Sequence, residues 1–107
     1  MKTNKFFYYQ QGDIIIKSCD EIDESKCKKL KHLILAEGET TGHMHQIISG
    51  QAALLNMQGQ IFLKIISDEA VLKHKEHKQV TIKKGNYIVH KVVEWDYDEK
   101  EKIEVQD

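Results

Sequence analysis

The chain has 107 residues, of which 40% are apolar and 31% are charged, and its formal net charge is −1. This length predicts a single domain over residues 1–107, and the composition is that of a folded globular protein rather than of a disordered chain. A balanced charge argues against the strongly basic surface that most nucleic-acid-binding proteins carry. Nucleic acid is therefore not the partner we expect, although local lysine clusters leave that alternative open.

The cysteines and the apolar runs predict a cytoplasmic protein. Cys19 and Cys27 are too few for a disulfide framework, and we expect both to be reduced thiols. The apolar cluster at residues 6–9 is shorter than the roughly 7–15 residues of a secretory signal core. No apolar run approaches the roughly 20 residues that span a bilayer, so we expect no membrane partner.

Short apolar and β-branched runs, separated by turn signals, follow one another along the chain. Strands are predicted at residues 14–16, 31–37, 43–48, 52–56, 61–66, 70–72, 79–82 and 87–97, and residues 103–105 are a candidate for a final short strand. Turns are predicted at residues 10–13, 57–60, 67–69 and 83–86. The polar segment 18–31 favours an exposed connection. Segment 31–37 is apolar on both faces, which predicts a strand buried on both sides.

This succession of short strands predicts an all-β fold. Seven or eight strands with turns about every 8–12 residues are typical of a small β-barrel, and a less regular barrel or a sandwich is the alternative. No segment combines helical periodicity with helix caps. The chain contains no repeat of fixed period, which argues against a solenoid.

Four of the six histidines form two close pairs. His43 and His45 lie two positions apart, so on a strand both side chains point to the same side of the sheet. His74 and His77 follow another apolar run. Three or four neutral imidazoles suit Zn, Fe, Mn, Ni or Cu. The pairs therefore predict a site for a divalent transition metal, provided that the fold brings them together.

Carboxylates near these pairs are candidate catalytic groups. Glu39 and Glu76 can act as general bases beside a bound metal, or one carboxylate can replace a histidine as a ligand. A catalytic centre would keep an open coordination position that a small-molecule ligand can enter, whereas four imidazoles without one would make a structural site.

A plainer interpretation stands beside this one. With six histidines in a short chain, such pairs also arise by chance, and residues 74–77 lie among lysines, where a solvated turn is the default. His32 and His90 have no local partner and are expected at the surface. The alternative function is a non-enzymatic accessory module that binds protein or RNA. A basic edge for it would comprise Lys73, Lys75, Lys78, Lys83 and Lys84. Strand edges also allow homo-oligomers.

Part of the histidine pattern resembles the cupin superfamily. Gly38 and His43-x-His45 are similar to the first cupin motif, in which a glycine precedes H-x-H on a strand. The glutamate that usually follows H-x-H is absent here, and so is the second motif. The resemblance implies a cupin-like barrel in which His74 or His77 would complete the metal site.

A larger part of the chain resembles a family of small bacterial and phage proteins without an established activity. Its pattern pairs G-E-x-T-G-H-x-H with H-x-E-H, which match residues 38–45 and 74–77. Residues 11–14 and 85–89 match as well. The chain departs from the pattern at residues 78–80, where a Gly-Pro-apolar step is usual. The resemblance implies that the two histidine pairs form one metal site.

Overall fold

The computed structural model describes residues 7–37 and 43–92, about two-thirds of which lie in β-strands. The strands are β1 (Tyr8–Gln11), β2 (Ile14–Ser18), β3 (Lys28–Lys29), β4 (Ile34–Glu37), β5 (Met44–Ser49), β6 (Ala52–Met57), β7 (Gln60–Lys73) and β8 (Val80–Lys91). One short 3-10 turn spans Glu24–Lys26. Within these residues, no helix has the length and apolar character needed to cross a membrane. Cys19 and Cys27 are both free thiols.

All strands belong to one antiparallel sheet, which confirms the predicted all-β class. The hydrogen-bonded order is β1-β2-β8-β7-β5-β4, while β6 pairs with β7 and β3 pairs with β6. This topology shows that the prediction of a closed, cupin-like barrel is wrong. Closure requires the two end strands to pair, whereas in the described residues β1 and β4 end the path as separate four-residue edges.

Two long strands bend the sheet on itself. Ile65 pairs with Gly85 and Glu69 pairs with Lys83, so three residues of β7 lie opposite one residue of β8. Such a bulge bends the strand and increases its twist. The turns predicted at residues 67–69 and 83–86 are therefore wrong as strand ends, because the chain continues through both positions as a bent ladder.

Alternating side chains fill the concave side of this bent sheet. In β2, Ile14 and Ile16 are fully buried while Ile15 between them is only half-buried. The same core contains Leu35, Ile47, Leu54, Leu63, Ile65, Ala70, Leu72, Ile82, Tyr87 and Val89. Segment 31–37 is not buried on both sides as predicted. Only Leu35 is buried there, because β4 is an edge strand.

The curvature brings β1 to strands that are not its neighbours in the ladder. The side-chain amide of Gln11, at the end of β1, donates to the main-chain carbonyl of Leu72 in β7 at 3.0 Å. It also donates to the carbonyl of Lys78, between β7 and β8, at 2.9 Å. A buried side chain thus ties the edge strand β1 to β7 and to the segment that precedes β8.

Candidate metal centre

The two histidine pairs converge at one end of β5 and β7. The register of these antiparallel strands pairs Gln46 with Lys73 and Ile47 with Leu72. Continued by one residue, it sets His45 opposite His74. The two ring centroids are 4.3 Å apart. His45 is 4% exposed and His74 is 8% exposed, so both imidazoles are removed from bulk water.

The remaining two histidines lie around this buried pair. The ring centroid of His77 is 4.6 Å from that of His74 and 6.2 Å from that of His45. The ring centroid of His43 is 5.9 Å from that of His74. His43 is partly exposed and His77 is exposed. The structure therefore brings together all four histidines that the sequence singled out.

Hydrogen bonds define the protonation of His45. Because the Gln11 amide nitrogen donates to two carbonyls, its Oε1 is the acceptor for the Nδ1–H of His45, at 2.8 Å. The neutral ring thus carries its proton on Nδ1 and keeps a free lone pair on Nε2. A hydrogen bond of this kind, made by the ring nitrogen that does not bind the metal, commonly orients a metal-binding histidine.

The free Nε2 of His45 faces a carboxylate. It lies 3.4 Å from Oδ1 of Asp13, in the turn between β1 and β2. Two hydrogen-bond acceptors then lie close together, and a cation bound to both would remove their repulsion. Asp13 is about half-exposed, so the pair lies at the border between the buried cluster and solvent.

A second histidine–carboxylate pair lies beside the first. Oε2 of Glu76 is 3.6 Å from Nε2 of His43, and the Glu76 side chain is mostly exposed. The main-chain N–H of Glu76 donates to Nδ1 of His74 at 3.0 Å. Neutral His74 in this arrangement therefore carries its proton on Nε2. Of the two predicted catalytic carboxylates, Glu76 lies at the cluster, whereas Glu39 lies outside the described residues.

Burial favours the neutral form of the inner histidines. Desolvation lowers the pKa of His45 below its ordinary value, and the charge of His74 lowers it further, against the opposing carboxylate of Asp13. Desolvation also lowers the pKa of His74, and His77 and His43 add to this effect. Neutral imidazole is the form that binds a metal ion.

The turn between β1 and β2 packs directly against the cluster. A Cβ atom at Gly12, where φ is +58°, would lie 2.5 Å from Nε2 of His77. Sequence reasoning treated this turn only as a connection and did not identify Gln11 or Asp13 as site residues. A sequence signal was the predicted resemblance, which includes residues 11–14, but their proximity to the histidines is a tertiary feature.

The donor atoms do not yet form a coordination sphere. In residues 7–37 and 43–92, no group of three or more His, Cys, Asp or Glu side chains is arranged to hold a metal ion. His32 and His90 are exposed and lie outside the cluster.

A cavity of about 320 Å³ lies on the other side of β5, lined by Met44, Gln46, Ile48, Lys73 and Lys75. Its β5 residues alternate with His45 and point away from it.

Comparison with known proteins adds a family but no activity. Residues 10–92 match the model of a domain of unknown function, DUF8820. The chain belongs to this family. The match agrees with the predicted resemblance to a family without an established activity, and it gives no link to cupins. No curated protein and no solved structure matches the chain. All four clustered histidines lie within the DUF8820 domain.

Proposed function

We propose that this DUF8820 protein binds one divalent transition metal ion through its clustered histidines, His43, His45, His74 and His77. The observation that carries the proposal is the convergence of these rings. A zinc ion about 2.1 Å from each nitrogen separates the centroids of two bound imidazoles by roughly 5 Å. The four contacts of 4.3, 4.6, 5.9 and 6.2 Å lie around that value.

Metal binding by His74 requires the loss of one hydrogen bond. His74 now accepts the N–H of Glu76 at Nδ1, so coordination through either ring nitrogen breaks this hydrogen bond. The bond lies at the end of β7, in a short segment whose residues 75–79 are exposed. Loss of one such hydrogen bond costs about 0.5–1.5 kcal/mol, far less than the roughly 10 kcal/mol or more that a structural zinc site supplies.

If the centre is catalytic, the metal polarises a water or a substrate oxygen. Glu76 is then the described carboxylate that is placed to move a proton, because it lies beside His43 and reaches solvent. Glu39 remains a candidate for the same task. A small-molecule substrate and a homo-oligomer remain predictions from the sequence.

The first experiment is the metal content of untagged protein by mass spectrometry. His45→Ala and His74→Ala test the cluster, and His32→Ala and His90→Ala are matched controls, because these two histidines are exposed and lie outside it. We expect close to one metal ion per chain in the wild type and in both controls, and a loss in both cluster variants. No bound metal in the wild type after soaking with Zn, Mn, Ni and Fe would refute the proposal.

A non-enzymatic accessory module is the second candidate. The observation that favours it is the cavity beside β5, where the exposed Lys73 and Lys75 adjoin Met44 and Ile48. Such a surface suits an acidic protein segment or an RNA strand. If the protein binds no metal, replacement of both lysines by glutamine, followed by RNA- and peptide-binding assays, tests this function directly.

A further inference from the structure

We infer that the turn between β1 and β2 completes the metal centre: Asp13 is a carboxylate ligand, and Gln11 is the positioning residue that presents His45 to the same ion. The inference rests on the proposed metal-binding function and adds two residues to it. Three independent features of the described structure support it.

The first feature is the fixed orientation of Gln11. Its side chain is 2% exposed, and both amide hydrogens are used by main-chain carbonyls, those of Leu72 and Lys78. Rotating the amide by 180° would set its oxygen against both carbonyls and break both of these hydrogen bonds. The oxygen of Gln11 therefore stays directed at Nδ1 of His45.

The second feature is the separation of the two proposed donor atoms. Two ligand atoms that bind one zinc ion, each about 2.1 Å away, are roughly 3.0–3.6 Å apart at the angles of four- and five-coordinate zinc. Nε2 of His45 and Oδ1 of Asp13 are 3.4 Å apart. The side chains already have the spacing of two ligands on one ion, and neither needs a change of backbone.

The third feature is the close approach of the turn. Gly12, between the two residues, leaves no room for a side chain against His77. Gln11 and Asp13 are therefore held at the cluster by the same turn. Carboxylate and imidazole are a usual ligand combination for Zn, Mn and Fe.

The test of Asp13 is a zinc titration with a chromophoric competitor. Asp13→Asn keeps the shape of the side chain and removes its charge, and Asp68→Asn is the matched control at another exposed aspartate, in the bulge of β7. We expect Asp13→Asn to weaken zinc binding by tenfold or more and Asp68→Asn to leave it unchanged. Equal zinc affinity in both variants and the wild type would overturn the assignment of Asp13 while metal binding stands. A wild type that binds no zinc overturns the proposed function and this ligand together.

The test of Gln11 does not depend on metal. Nitrogen-15 NMR of the metal-free wild type at fixed pH identifies which ring nitrogen of His45 carries the proton. We expect the Nδ1–H tautomer, and the Nε2–H tautomer would overturn the positioning role whatever the metal result. In Gln11→Leu we expect His45 to lose its preference for the Nδ1–H tautomer. Zinc binding should weaken by about 10–100-fold, the usual loss when the hydrogen-bond partner of a metal-binding histidine is removed. If Gln11→Leu does not fold, the wild-type tautomer still decides the question.

Discussion

His45 lies opposite His74 across the β5–β7 ladder, with ring centroids 4.3 Å apart. His43 immediately precedes β5 and Glu76 follows β7, and the carboxylate of Glu76 lies 3.6 Å from Nε2 of His43. One strand pairing therefore positions both halves of the cluster. A slip of one residue would move His45 to the other face of the sheet.

The first prediction is a loss of stability in acid for the metal-free protein. His45 and His74 have lowered pKa values in the folded state, so the unfolded chain binds protons that the folded chain does not. Stability is then fully present above the ordinary histidine pKa of 6.5 and falls as the pH drops below it. Urea unfolding between pH 7.5 and pH 5 in the presence of a chelator measures the effect.

Two matched variants show whether the pH dependence of stability comes from the histidine cluster. We expect His45→Asn to flatten the dependence of the unfolding free energy on pH. His90→Asn should leave it unchanged, since His90 is exposed. An identical slope in the wild type and His45→Asn would contradict the prediction.

The second prediction concerns the main-chain amide of Glu76. Coordination of zinc by either nitrogen of His74 removes the acceptor of this amide, whose hydrogen bond to Nδ1 is 3.0 Å long. We expect the proton chemical shift of the Glu76 amide to move strongly when zinc is added. The amide of Ile34 donates to Nδ1 of His32 in the same way, at 3.1 Å, and is the internal control that should not move. A Glu76 amide that keeps its shift at zinc saturation would exclude His74 as a ligand.

The third prediction is that Gly12→Ala weakens zinc binding whereas Gly59→Ala does not, although both substitutions lower the free energy of unfolding to a similar extent. An alanine at φ +58° costs about 1–2 kcal/mol, and its Cβ must displace the exposed ring of His77 from the cluster. Gly59→Ala is the control, because φ there is +90° and a Cβ would meet no atom within 4 Å. We expect comparable losses in chemical unfolding, but a roughly tenfold loss of zinc affinity only for Gly12→Ala. Equal zinc affinity in the two variants would argue against a role of His77.

The fourth prediction tests the bent ladder behind the site. Tyr87 is 1% exposed, and its hydroxyl donates to the main-chain carbonyl of Lys83 at 2.7 Å, next to the bulge. Tyr87→Phe removes this donor and should lower the free energy of unfolding by about 1 kcal/mol. Tyr9→Phe is the comparison, since Tyr9 is only partly buried and its hydroxyl accepts the Lys83 N–H at 3.2 Å. Denaturant unfolding of both variants shows whether the hydrogen bond of Tyr87 contributes more to the free energy of unfolding than that of Tyr9.

The sequence predicted the strands well where a local pattern was sufficient. A β-branched run identified β2, the H-x-H segment identified β5 and a hairpin signal identified β6, each nearly to its ends. The sequence was misleading at β4, because an apolar run can form either a central strand or an edge strand. It also gave two turns where β7 and β8 continue through a bulge, because Gly, Asn and Asp serve turns and bulges equally.

The sequence by itself determined the all-β class and the two histidine pairs, because strand periodicity and residue type are local properties. Only the tertiary structure decided that the pairs meet, that the sheet stays unclosed, and that Gln11 and Asp13 join them. The deciding contacts are long-range: Gln11 reaches Leu72 across 61 positions and His45 across 34. Such contacts depend on strand register and on the bend of the whole sheet, which are fixed by packing of the shared core and leave no signature in any short segment.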